Sequence, residues 1–408
     1  MSIAIAILGL AFLILVHEMG HFFASLAVGL RPRRFYVGFP PAILKTTRNN
    51  IEYALGAIPL GGFVTIPGMH RPIAHDAERR FVRAVEEAPA LAGPYERVKH
   101  ELESGSFDAV PGALDDFEHM AERSKLSPGA ASSVEKGVTE LRDGVGDDAY
   151  WKAPTWKRLV AIGAGPAANV LLAIVLFTFL FMTSSGKATS TVAAVAPELA
   201  QGVAAPAQVM GLRAGDRVVA INGQEVDADE IADVIADSDG RPLTLTVVRD
   251  GEELRLGPAR ALETDAGYRL GFGLEGEGLG PVEAVGRAFE VTGIISREIV
   301  LSLGQLATGE GRENVSSPIG ITQASSDAVE QGAENYLWVL GLISLSLALL
   351  NLLPLLPLDG GHIVFILIEG ARGRYLKREI YERVSVVGLA VVLLLFFVGL
   401  SNDIGRLS

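Results

Sequence analysis

IAIAILGLAFLILVHEMGHFFASLAVGL, residues 3–30, decides the fold. A membrane-spanning helix needs about 20 predominantly apolar residues. This stretch is apolar apart from His17, Glu18, His21 and one serine. It lacks the basic start of a signal peptide, and no small-residue cleavage site follows at the right distance, so it reads as a retained span. Ionisable groups in such a helix are costly, roughly 2.5 to 3.5 kcal/mol for each central charge on insertion scales. A helix carrying three of them needs a compensating role.

The spacing suggests that role. In VHEMGH, residues 16–21, His17 and His21 stand four apart and share one helix face. Two imidazoles so placed can bind one zinc ion. Glu18 follows the first, where it can take a proton from an attacking water as general base. The string alone also arises by chance, and a pair of buried, hydrogen-bonded histidines is the plain alternative. The membrane setting favours the metal. Catalytic zinc takes three protein ligands and leaves one position open. The chain has no cysteine, so the third ligand must be a histidine or a carboxylate. Asp359 is the best candidate, in NLLPLLPLDGGH at 351–362. Its prolines and glycines break the helix, and broken backbone at membrane depth is tolerated where it lines a cavity. Taken alone, Asp359 reads as a helix-end cap in a turn, and His362 and Glu369 compete with it.

The rest of the chain fits a membrane protein. Hydrophobic residues make up 49% of the 408, and they gather into further apolar runs at about 159–182, 337–358 and 384–400. A net charge of −13 argues against a general nucleic-acid binder. Basic residues near span ends mark the cytoplasmic side. Arg31, Arg33 and Arg34 follow the first span, Lys152, Lys157 and Arg158 precede the second, and Arg372, Arg374, Lys377 and Arg378 precede the fourth. They assign residues 31–158 and 371–383 to the cytoplasm, and both termini and 186–336 to the outside.

The soluble parts differ in pattern. Residues 70–150 are acidic with helical periodicity and read as a small helical insert. Residues 188–262 alternate as strands do, and Asn222-Gly223 is a hairpin-type turn. GLRAGDRVVAINGQEV, 211–226, resembles the signature of a PDZ domain, which binds an extended peptide by adding it to a sheet edge. That resemblance implies peptide binding near Gly211 and Leu212. A generic small β domain is the alternative. Residues 281–335 read as an amphipathic connector.

His17-Glu18-Met19-Gly20-His21 together with Leu358-Asp359-Gly360 resembles the site-2 protease family of intramembrane zinc metalloproteases. Pro59-Leu60-Gly61-Gly62-Phe63 resembles that family's membrane-dipping β loop, Gly165-Pro166 with Asn169 its second-span motif, and Ser316 to Ile321 a segment before its third span. In order, these features cover most of the chain, as in the bacterial RseP-like branch. The resemblance implies a mainly α-helical polytopic membrane protein with about four transmembrane helices, a membrane-dipping β loop and an inserted extracytoplasmic PDZ domain. The domains expected are 1–69 (first span and β loop), 70–150 (cytoplasmic insert), 151–185 (second span), 186–275 (PDZ), 276–336 (connector) and 337–408 (third and fourth spans). It implies one zinc ion (Zn2+) on His17, His21 and Asp359, with Glu18 catalytic. It implies substrate contacts from Asn351 and Pro354 of an NxxP motif and from Gly61 and Gly62. The implied setting is a bacterial cytoplasmic (inner) membrane. The implied partners are the lipid bilayer, single-span membrane proteins such as anti-sigma factors or remnant signal peptides, and an upstream site-1-type protease that trims them first. The chain departs from the pattern in having room for one PDZ domain rather than two, a large insert, and serine before Pro318 where glycine is common. A transporter would spread polar residues over several spans and show inverted repeats. A non-catalytic PDZ scaffold would not need Glu18.

Overall fold

The computed structural model describes residues 1–407 other than 184–185, 201–202, 265–266, 310 and 313–314. The chain divides into two compact units, Met1–Ala173 with Ile295–Ser408, and Ile174–Ile294.

In the first unit, helix α1 (Ser2–Ala27) buries Ala6, Gly9, Leu13, His17 and His21. These positions recur every three to four residues and form one stripe. Ile3, Leu8, Phe12 and Phe23, on the other faces, stay exposed, as suits a helix whose solvent is lipid. Strands β1 (Arg34–Arg48) and β2 (Ile51–Thr65) follow as a folded-over hairpin. Residues 34–37 pair with 52–55 on one side and with 62–65 on the other, while 44–48 pair with 51–55. Segment 62–65 is therefore an outer edge of this small sheet.

Four helices come next: α2 (Ala74–Glu87), α3 (Ala92–Ser104), α4 (Val110–Glu122) and α5 (Pro128–Val145). They close round a core that includes Phe81, Val98, Leu114, Phe117 and Val138. The Phe81 and Phe117 rings stack with centroids 4.4 Å apart. Full burial of such side chains contributes about 1.5–3 kcal/mol each. The bundle is held at its base. Tyr150 N donates to Pro67 O at 2.9 Å and Trp151 N to Gly68 O at 3.0 Å, so its entry and exit run together. Arg33, just before β1, pairs with Asp143 and Asp148 at 3.0 Å each.

Helix α6 (Thr155–Met182) carries Pro166 in its interior. In the second unit the strands are β3 (Lys187–Val195), β4 (Glu198–Ala200), β5 (Val203–Ala204), β6 (Arg217–Ile221), β7 (Gln224–Glu225), β8 (Pro242–Arg249), β9 (Glu252–Arg260), β10 (Leu262–Thr264), β11 (Gly267–Arg269) and β12 (Phe272–Glu277), with short helices α7 (Pro206–Val209) and α8 (Ile231–Ala236). The main sheet runs β12-β3-β6-β8-β9, with β7 on β6, all antiparallel. Asn222 and Gly223 both take positive φ, 53° and 81°, in the two-residue turn from β6 to β7. Val218, Ile221, Leu245, Val247, Ile231 and Leu270 form the core.

Helix α9 (Pro281–Thr308) is followed by α10 (Pro318–Gln331), α11 (Ala333–Asn351), α12 (Asp359–Arg372) and α13 (Arg378–Leu407). The first turn of α10 is capped by Asp403 of α13, whose carboxylate accepts from Ser317 N at 2.8 Å and Gly320 N at 3.0 Å. Among the described residues, four helices are long and apolar enough to cross a membrane: α1, α6, α11 and α13. The third apolar run does not continue as helix to 358. Helix α11 ends at Asn351, because Pro354 and Pro357 push the residues before them out of helical backbone. Asp359 instead opens α12, where an acid in the first turn meets the positive end of the helix. The fourth helix is longer than its apolar run, since polar residues at both ends extend it.

Candidate active site

The buried stripe of α1 delivers His17 and His21 to the same place as the first residue of α12. His17 Nε2 lies 3.2 Å and His21 Nε2 3.4 Å from Asp359 Oδ2, and the two Nε2 atoms are 3.2 Å apart. Bond lengths of about 2.0–2.1 Å to a tetrahedral zinc set its donors about 3.3 Å apart. The three atoms therefore fit one zinc ion. Asp359 Oδ2 is buried and has no hydrogen-bond partner, which is what a carboxylate reserved for a cation looks like.

The sequence also fixes how the ligands point. His21 Nδ1 donates to Ala161 O of α6 at 2.9 Å, which leaves the Nε2 lone pair facing the site. Pro166 has no N–H to give to the carbonyl four residues back, and its ring loosens the helix there. That is the turn against which the His21 ring lies. Gly165 touches the ring so closely that a Cβ would strike Nε2. Gly62 plays the matching part for Glu18. A Cβ at Gly62 would lie 3.0 Å from Glu18 Cγ and 2.7 Å from Tyr36 O. The edge segment 62–65 can approach the Glu18 carboxylate only because position 62 has no side chain.

These residues line a cavity of about 540 Å³ that takes in His17, Glu18, His21, Gly61, Gly62, Asn351, Asp359 and His362. Among the residues expected from sequence, Pro354 stands exposed in the turn after α11 and is not part of this lining. Glu369 is not part of it either. Its carboxylate pairs with Arg158 at 2.7 Å and accepts from Leu376 N at 3.0 Å, each partner of the ion pair being 6% exposed. Gly211 and Leu212 lie in the second unit. Leu212 is buried in its core, and the backbone N–H groups of both residues donate to Gln208 O and Ala207 O at 3.0 Å. Neither N–H is left for a peptide carboxylate. The same loop is closed by Asp216, which accepts from Arg213 N and pairs with Arg249 at 2.6 Å. Sequence reasoning missed the Ala161 carbonyl and the edge position of 62–65. The proline in α6 was the available signal for the first.

Fold and site together define an integral membrane peptidase, and the chain belongs to peptidase family M50, the site-2 protease family, whose match covers residues 5–395. It is 28% identical to the zinc metalloprotease RasP of Geobacillus kaustophilus, over 97% of this chain and 95% of that protein. It is 27% identical to the regulator of sigma-W protease RasP of Bacillus subtilis, over 97% and 96%, and 28% identical to the protease RseP of Yersinia pestis, over 100% and 99%.

Proposed function

We propose that the chain is a zinc-dependent endopeptidase that hydrolyses peptide bonds within transmembrane segments of single-span membrane proteins. The observation that carries this reading is the convergence of three donors at zinc spacing, with Glu18 beside them, in a cavity edged by an open β strand.

When bound, zinc supplies a Lewis acid for the scissile carbonyl and acidifies a water. His17, His21 and Asp359 would hold it, with the His21 ring fixed by Ala161 O. The peptide bond of a membrane helix is shielded because its carbonyl is already hydrogen-bonded. The half-buried outer edge at 62–65 would add an unwound substrate strand by backbone pairing, the Val64 N–H that now meets Glu18 turning to the substrate. Gly61 and Gly62 let that strand come close to Glu18. Asn351, the last residue of α11, would hold its backbone, and Pro354 would act by ending that helix in position. Glu18 takes the proton of the attacking water and passes it to the leaving amine.

The positive-inside pattern supports a site toward the cytoplasmic half of a bacterial inner membrane, with the 70–150 insert inside and the termini and second unit outside. The second unit serves as a PDZ domain in this reading. Its main sheet ends in β12 on one side and β9 on the other, and this unit, through such an edge or the loop at Gly211 and Leu212, would pair with a peptide or screen substrates by size. Substrates would be anti-sigma factors or remnant signal peptides, already trimmed outside by a site-1-type protease. Glu18→Gln should retain zinc and lose cleavage of a single-span substrate in detergent by about 10²–10⁴-fold. Full activity in that variant rules the reading out.

A further inference from the structure

The cavity holds one imidazole that the reaction above does not use. His362 follows Asp359 by three positions on α12, so the two side chains share a face. His362 lines the cavity with Glu18, Gly62 and Asn351 and is half-buried. It stands outside the three-donor group of His17, His21 and Asp359. Its backbone N–H is satisfied by Leu358 O at 3.3 Å. The His21 ring is committed to Ala161 O, whereas the His362 ring has no protein partner among the described residues. Of the neighbouring acids on α12, Glu369 is spent on Arg158.

The His362 ring nitrogens open on the cavity rather than being sealed in protein, so a donor is available there to a bound group. Hydrolysis supplies such a group. As the water oxygen bonds to the carbonyl carbon, the carbonyl oxygen gains negative charge, and a fixed N–H donor in a site with little water stabilises it more than it would in bulk solvent. We propose that His362 is a further catalytic residue, whose ring N–H donates to the scissile carbonyl oxygen as that charge develops. Glu18 meanwhile carries the water's proton to the nitrogen released when the C–N bond breaks. The inference rests on the peptidase reading above.

The test uses the full-length purified enzyme and a single-span substrate in detergent. His362→Ala should lower kcat about 100-fold, the loss typical of one such donor, with KM and zinc content unchanged. His362→Gln, which keeps an amide donor at similar reach, should recover part of the rate. A melting profile identical to wild type for either variant shows that the fold is kept. Wild-type kcat in His362→Ala overturns the inference, as does loss of zinc, a raised KM with kcat kept, or a Gln variant as slow as the Ala variant. A wild-type enzyme that holds zinc and cuts no single-span substrate overturns the peptidase reading, and this inference with it.

Discussion

Two clusters of buried charge lie in the same unit, and they are built in opposite ways. Arg158 and Glu369 close on each other at 2.7 Å, with Glu369 also taking the Leu376 N–H. His17, His21 and Asp359 do not close. Their donor atoms point at a common centre and leave Asp359 Oδ2 without a hydrogen bond. A closed pair neutralises its own charge and fixes the structure, even with Arg158 Nε left buried without a partner. An open set is costly unless a further group completes it.

The difference can be broken from either side. Arg158→Met leaves the Glu369 carboxylate buried and uncompensated, and should destabilise the unit by about 3–5 kcal/mol. Adding Glu369→Met should restore most of that loss, because the pair fails as a unit. Denaturation of the two variants checks this, and equal damage from both would mean that the pair does not act as a closed unit.

Gly165→Ala attacks the open set without replacing a ligand. The new methyl meets the His21 ring, so the imidazole must shift. A displacement of about 1 Å should cost about 100-fold in activity while the fold persists. Activity and melting measured together decide it, since a parallel loss of both would make Gly165 a packing residue only.

The smallest effect lies in the second unit, where Asp216 and Arg249 form another closed pair. The Arg249 guanidinium holds the Asp216 carboxyl below the usual carboxylate range. The native state therefore keeps it ionised where the unfolded chain already takes up a proton. The contribution, about 1 kcal/mol, is complete above the unfolded value of about 3.9 and is lost as pH falls from there through the lowered native value. Asp216→Asn should remove that acid-limb dependence in unfolding titrations of the whole chain. An unchanged limb would assign it to other carboxylates.

Much of this was legible in the sequence, and for identifiable reasons. His17 and His21 share a face because four residues make about one helical turn, and the spans follow from apolar length alone. Asp359 was harder. Its motif placed it at the end of the third span, and only the helix break after Asn351 moves it to the start of α12. The order of the folded-over hairpin could not be read at all. Residues 34–37 pair on both sides, a long-range arrangement that leaves no periodic trace. The roles of Gly62 and Gly165 depend on what comes near them from other elements. Sequence marks such positions as glycine without saying what the space is for.

The central claim is that the open set is completed by zinc. Metal analysis of purified wild-type, Glu18→Gln and Asp359→Ala protein tests it most directly. About one zinc per chain is expected in the first two, since Glu18 is not a ligand, with loss of zinc from Asp359→Ala, because two imidazoles remain where catalytic zinc takes three protein ligands. Full zinc occupancy in Asp359→Ala, or none in the wild type, would contradict the account.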